Sequence, residues 1–243
     1  MVVEADESDG TFTKLPATIA VVTNIDPEHM EYYGNFDRLL EAFQTFVTNT
    51  PFYGAIICCT DDPDVHRLVG KISDRKVIKY GFNKQADYRI SDLQFVDGIA
   101  HFDLMKGGVK SSVSNIMLPM TGEHNALNAL GAIVVAHHLG ISFEVIKQAL
   151  KNFKGVKRRF TFVGEIFGVK IIDDYAHHPT EISSVLKGVK KVYKNKEIIC
   201  VFQPHRISRL ISLRKEFSKC FKKADIVLLC PIYTANEKIR LNF

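Results

Sequence analysis

The sequence predicts an α/β chain, with a mixed-sheet domain first and a doubly wound unit after it. Three observations carry that expectation. Short β-branched apolar runs alternate with helical patterns through residue 80. From residue 88 to 118 apolar and polar positions alternate at period two, with Asp97-Gly98 and Gly107-Gly108 as hairpin turns, which predicts antiparallel strands at one edge of the sheet. After a basic, glycine-containing connector at 154–159 the alternation of strand and helix resumes. The boundary expected there divides the chain into domains 1–155 and 156–243.

Each element has a local reason. An apolar stub, Met1-Val2-Val3, runs into the acidic stretch Glu4-Ala-Asp-Glu-Ser-Asp. Residues 19–23 form a β-branched run suited to a buried parallel strand, and 24–35 form a turn-rich loop holding Asp26, Glu28 and His29. Asn35 can cap a helix whose apolar face is Phe36, Leu39, Leu40, Phe43, Phe46 and Val47. Strand 53–59, helix 64–72 and strand 76–80 extend the parallel pattern. Residues 123–139 predict a helix, apolar nearly all round over 126–136 and therefore buried, and Ser142 can cap another at 143–153. Beyond the connector, 160–167 and 169–172 flank Gly168 as a hairpin. Helix 181–193, strand 198–202, helix 206–221 and strand 226–229 follow.

Composition narrows the class. With 46% hydrophobic and 24% charged residues in 243, the chain can bury a core. The formal charge of +5 is mild, and the basic clusters at 187–196 and 214–223 lie on helical patterns, so solvated faces are expected and no nucleic-acid partner. No run approaches the ~20 apolar residues of a membrane span. The five cysteines show no Cys-x-x-Cys spacing, which fits reduced thiols in a cytoplasmic protein.

Chemistry concentrates where strands give way to helices, the end of an α/β sheet that faces ligands. Asp173-Asp-Tyr-Ala-His-His-Pro-Thr180 packs carboxylates, a phenol and imidazoles into one turn. Glu4 and His29, each after a strand-like run, offer oxygen and imidazole ligands to a hard divalent ion such as Mg2+, although each alone reads as a solvated loop or turn residue. Asn125 and Asn128, three apart at the start of a helix, exceed what one cap needs and suit an adenine edge. Arg206 and Arg209, also three apart, can form a fork for a carboxylate or phosphate. Arg158 and Arg159 fit interdomain ion pairs as well as phosphate contacts. His66, His101, His137 and His138 read as structural.

As a set these motifs resemble the Mur ligase family. The residues that carry the resemblance are Glu4-Ala-Asp-Glu-Ser-Asp-Gly10, Thr23-Asn-Ile-Asp-Pro-Glu-His-Met30, Gly122-Glu-His-Asn-Ala-Leu-Asn128, Arg158-Arg-Phe160, Asp173 to Glu181, and Phe202-Gln-Pro-His-Arg206. The resemblance implies a P-loop-NTPase-like central mixed-sheet domain followed by a Rossmann-like carboxy-terminal domain. It implies ATP-dependent phosphorylation of a muramoyl carboxylate and attack by an amino-acid amine on the acyl phosphate. Glu4 and His29 would hold Mg2+, with His124, Asn125, Asn128 and Arg159 at the nucleotide. Asp174, Tyr175, His177, Arg206 and Arg209 would be catalytic. Lysine is missing between Lys14 and Lys71, with Gln44 near the place where other members carry a modified lysine. That favours the alanine-adding branch, with UDP-N-acetylmuramate and L-alanine as partners, over the relatives that carry that lysine; a relative that attaches a recycled peptide to the same sugar nucleotide stays open as the alternative. The 243 residues contain no Gly-x-x-x-x-Gly-Lys-Ser/Thr phosphate loop, and Tyr233-Thr-Ala-Asn-Glu237 departs from the family's Ala-Gly-Glu. The expectation is an internal piece of such a ligase, both domains incomplete, inactive or a non-catalytic nucleotide-binding module by itself.

Overall fold

A computed structural model describes residues 1–110 and 113–237. A 3-10 turn at Thr11–Lys14 precedes β1 (Ile19–Val22), α1 (Met30–Tyr33), α2 (Phe36–Thr48), β2 (Ala55–Cys59), α3 (Pro63–Val69) and β3 (Val77–Gly81). Strands β4 (Tyr88–Val96), β5 (Ile99–Lys106), β6 (Val109–Lys110) and β7 (Ile116–Leu118) come next, then α4 (Glu123–His138) and α5 (Phe143–Lys151). The remainder is β8 (Thr161–Ile166), β9 (Val169–Asp173), α6 (Pro179–Val192), β10 (Ile199–Phe202), α7 (Ile207–Ser212), α8 (Arg214–Cys220) and β11 (Ile226–Leu229). Among the described residues no helix is long and apolar enough to cross a membrane.

Seven strands form one sheet in the order β1-β2-β3-β4-β5-β6, with β7 on β5. The first three pair in parallel, and every residue of β2, the middle one, is buried. That burial on both faces is why its sequence is a continuous apolar run. The chain reverses at Asp97-Gly98 and Gly107-Gly108, all four with positive φ, as two-residue hairpin loops require. One departure is that β4 joins β3 through a short parallel ladder, Tyr80↔Tyr88 and Gly81↔Arg89, before antiparallel pairing begins. Asn35 caps α2 by accepting from Arg38 N–H, and Asp62 caps α3 by accepting from Asp64 and Val65.

Two compact units result. The first comprises 1–94, 101–117 and 126–151, and the second comprises 95–100, 118–125 and 152–243. In the first, Phe12, Leu39, Phe46, Val47, Ile56 and Val65 lead a core between sheet and helices. α4 is less uniformly buried than its composition suggests, since Asn128 and Ala132, one turn apart, are exposed. In the second, β8 and β9 make an antiparallel hairpin around Phe167-Gly168, while β10 and β11 pair in parallel as a separate ladder. Ile182, Leu186, Phe202, Leu213 and Phe217 form its core. The helix expected over 206–221 is divided at Leu213, which turns its side chain into that core and takes a non-helical backbone.

Candidate active site

In the first unit the loop after β1 brings His29 against carboxylates. His29 has φ 56° at the start of α1, an uncommon conformation for a residue with a side chain. Its Nε2 lies 3.7 Å from Glu7 and 3.8 Å from Glu28, and its Nδ1 lies 3.7 Å from Glu31. One ligand atom from each of Glu7, Glu28 and His29 falls within 4.8 Å of the others. Two carboxylate oxygens and one imidazole suit a hard divalent ion, so the donor set fits Mg2+. The Tyr33 hydroxyl donates to the Glu7 carbonyl and steadies that loop; burial first, then the Glu7 charge, pushes the phenol up to about 12. Glu4, expected to share the ion with His29, is exposed and stands outside the trio.

In the second unit the turn after β9 is tied down by its own acids. The two oxygens of Asp174 accept from Phe160 N–H and Ala176 N–H, both at 2.8 Å, so this carboxylate splices the 158–160 connector to the turn. The connector is sharply bent there, with Arg158 at φ 59° and Phe160 at φ 53°. Glu181 accepts from the N–H groups of His177 and His178 at 3.0 and 3.2 Å and meets Arg159 at 3.1 Å. His178 caps α6 from the other side, completing a capping box. Burial by itself would raise the Glu181 carboxyl, but the His177 N–H, Arg159 and the His178 N–H outweigh it and hold it below the ordinary range.

Around this turn the cationic and aromatic side chains gather. The Arg158 guanidinium lies over the Tyr175 ring at 4.6 Å and pairs with Asp173 at 3.3 Å. Tyr175 packs edge-on to His177, and His177 lies 5.7 Å from His205 between ring centres. His205 stacks on Tyr233 and approaches Arg209 Nη1 at 3.3 Å. Burial, then the Arg209 charge, holds the His205 imidazole below its usual pKa. Arg206 is not within a helix with Arg209 as expected; it sits one residue before α7 at φ 67°.

The start of α4 joins the same unit. Gly122 has φ 105°, and a side chain there would run into the His124 ring, so glycine is required. Burial pushes the His124 imidazole down, with Asp174, Arg159 and Glu181 the next charges it feels. Three residues selected from the sequence, His124, Arg159 and Asp174, therefore share one neighbourhood. The Asn125 amide donates to the Thr121 carbonyl at 2.7 Å, a bond that satisfies none of the free N–H groups a cap would serve, and Asn128 is exposed.

Glu7, Glu28, Glu181, His205 and Tyr233 lie in the stretches singled out from the sequence, but none was given a site role there. His178-Pro-Thr-Glu181 has the spacing of a capping box and was the readable signal for Glu181. Nothing in the spacing marked Tyr233, which reaches His205 through a parallel bridge between separate segments.

Comparison with known proteins follows the same outline. The Mur ligase middle domain model matches residues 1–136, and the model described as Mur ligase, glutamate ligase domain, matches 158–240. The chain is 57% identical over 237 residues to the UDP-N-acetylmuramate–L-alanine ligase of Roseobacter denitrificans, covering 98% of this chain and 50% of the relative. It is 53% identical to the ligase of the same name from Paracoccus denitrificans, over 98% of this chain and 51% of that one. Among solved structures it resembles the UDP-N-acetylmuramate-alanine ligase of Thermotoga maritima, with a TM-score of 0.76, 29% identity, and 94% of this chain against 49% of that one. The fold is also that of a murein peptide ligase from Psychrobacter arcticus, with a TM-score of 0.63 at 23% identity, covering 90% of this chain and 44% of that one. The chain spans about half the length of the curated relatives it matches.

Proposed function

The chain belongs to the Mur ligase family, and from that membership we propose that it supplies the metal-holding and acceptor-handling parts of an enzyme that joins L-alanine to UDP-N-acetylmuramate using ATP. The observation that carries the reading is the gathering of Tyr175, His177, His205 and Arg209 at the turns after β9 and β10, beside Arg206. We assign the division of labour to domains 1–155 and 156–243, and the chain to the cytoplasm.

Bound with Mg2+, ATP would supply the phosphoryl group that turns the muramoyl carboxylate into an acyl phosphate open to attack by the amine. His29, Glu7 and Glu28 would hold the ion, with Glu4 a further carboxylate on the same loop. Asn125, Asn128 and His124 are assigned to the adenine, and Arg159 to the phosphates. Arg206 and Arg209 bring fixed positive charge to the substrate carboxylates and to the oxyanion that develops as the amide forms. His177 Nδ1 lies 2.9 Å from the Tyr175 carbonyl, an acceptor only, so the ring proton belongs on Nδ1. Nε2 then carries the lone pair and can receive a proton from the attacking amine. Tyr175 flanks that imidazole, and Asp174 holds the turn in shape.

The test places this chain in register within the Roseobacter denitrificans relative, replacing the stretch it matches, and follows ADP release and amide product. The expected result is turnover that requires L-alanine. Turnover with a murein tripeptide in place of L-alanine, and none with L-alanine, would overturn the assignment.

A further inference from the structure

The short helix α7 begins without a cap of its own: Arg206, the residue before it, contributes no side-chain bond to its free N–H groups. A carboxylate from 30 residues on does so instead. Glu237 Oε2 accepts from Ile207 N–H at 2.7 Å and from Ser208 N–H at 3.1 Å, and Oε1 accepts from the Ser208 hydroxyl at 2.6 Å. The same segment is laced to the strand end before α7. Tyr233 N–H donates to the Pro204 carbonyl at 2.8 Å, Arg206 N–H donates to the Tyr233 carbonyl at 2.9 Å, and the Tyr233 ring stacks on His205. Glu237 thus closes a loop whose other side is His205, Arg206 and Arg209. We propose that Glu237 is a positioning residue, whose carboxylate fixes the His205–Arg209 turn and so sets where its cationic groups stand for the substrate carboxylates and amine. The last clause rests on the ligase reading; the clamp itself does not.

The test uses the chain as it is. The groups whose charge His205 feels are Arg209, His177, Arg206 and Glu237, so its imidazole titration, followed by NMR, reports whether Arg209 stays in place. In Glu237→Ala the amides of Ile207 and Ser208 are expected to exchange at least about tenfold faster, each having lost its acceptor. In Glu237→Ala the His205 pKa is expected to rise, since the departing Arg209 charge outweighs the lost Glu237 charge, while Glu237→Gln, which keeps an oxygen acceptor but not the charge, is expected at or slightly below the parent. Should Glu237→Ala fail to fold, Ser208→Ala removes one of the three bonds and is expected to show a smaller rise. Unchanged exchange and unchanged His205 titration in the folded variants would overturn the proposal. A titration with L-alanine, read at His177 and His205, adds the second arm: weaker binding in Glu237→Ala, restored in Glu237→Gln, supports positioning. No response in the parent would count against the ligase reading while leaving the clamp standing.

Discussion

The imidazole of His29 meets Glu7 and Glu28, whereas the motif had pointed to Glu4. The sequence predicts a strand before the acidic loop, but residues 1–7 form none and only His29 follows a strand, β1; which carboxylate turns inward depends on how the loop folds over α1, and no periodicity encodes that. The consequence is testable with Mn2+ as a probe for the ion. Glu7→Ala or His29→Ala is expected to weaken Mn2+ binding by roughly tenfold or more, and Glu4→Ala by less than about twofold, on the scale of ligand-shell substitutions. An isotherm that shows the reverse order contradicts the assignment. Around α6 the titrations set a pH dependence. The His124 imidazole is held down by burial, and the Glu181 carboxyl is held down by hydrogen bonds that outweigh its burial. A group with a depressed folded-state pKa stabilises above its unfolded pKa and loses that contribution as pH falls. Stability is therefore expected to drop as pH falls below about 6.5, the ordinary histidine value, and again below the usual glutamate range. Melting curves of the parent and His124→Gln check this: the variant should show a smaller first step, because His205 and His137 are held down as well, and keep the second.

At the scale of elements, local signals were most reliable where a side chain or turn type fixes the backbone by itself. Asn35 caps α2 as expected, and Asp97-Gly98 and Gly107-Gly108 form the hairpin turns. The long helix expected over 206–221 failed because its pattern of apolar residues is satisfied equally by two short helices hinged at Leu213, and Glu237, remote in sequence, fixes where the first one starts. Burial of α4 also exceeded what forms, since Asn128 and Ala132 stay exposed. Within β3 the fully buried Tyr80 has a hydroxyl with no hydrogen-bond partner among the described residues, pressed toward Gly131 on α4. Leaving a buried donor unmade costs about 1–3 kcal/mol. Tyr80→Phe is expected to keep or raise stability in urea denaturation, and a loss of more than about 1 kcal/mol would show that the hydroxyl is bonded in solution.

For the whole molecule, the alternation of strands and helices was enough to give the α/β class and the parallel core of β1, β2 and β3. The grouping of segments 95–100 and 118–125 with 152–243 was not legible, because it depends on contacts between residues far apart in sequence: the Thr121 hydroxyl donates to the Gly98 carbonyl, and Lys191 pairs with Glu123. Residues 198–202 read as a buried strand, yet Ile199 and Val201, with Ile226 and Leu228 beside them, leave one face of the ladder exposed. Parallel strands rich in aliphatic residues on both faces are the pattern of a sheet covered on both sides, so the sequence was right about composition and silent about coverage. Family membership was legible through six short motifs; the geometry adds that Asp174 also ties the 158–160 connector to its turn, and that His205, Tyr233 and Glu237 gather at the turn around Arg209. The central claim is an amide bond made through an acyl phosphate, and isotope transfer tests it directly. UDP-N-acetylmuramate labelled with 18O in its carboxylate is supplied to the chimeric ligase with ATP, Mg2+ and L-alanine, and the inorganic phosphate is analysed by mass spectrometry. One 18O per phosphate formed is the result this account predicts; unlabelled phosphate alongside amide product would contradict it.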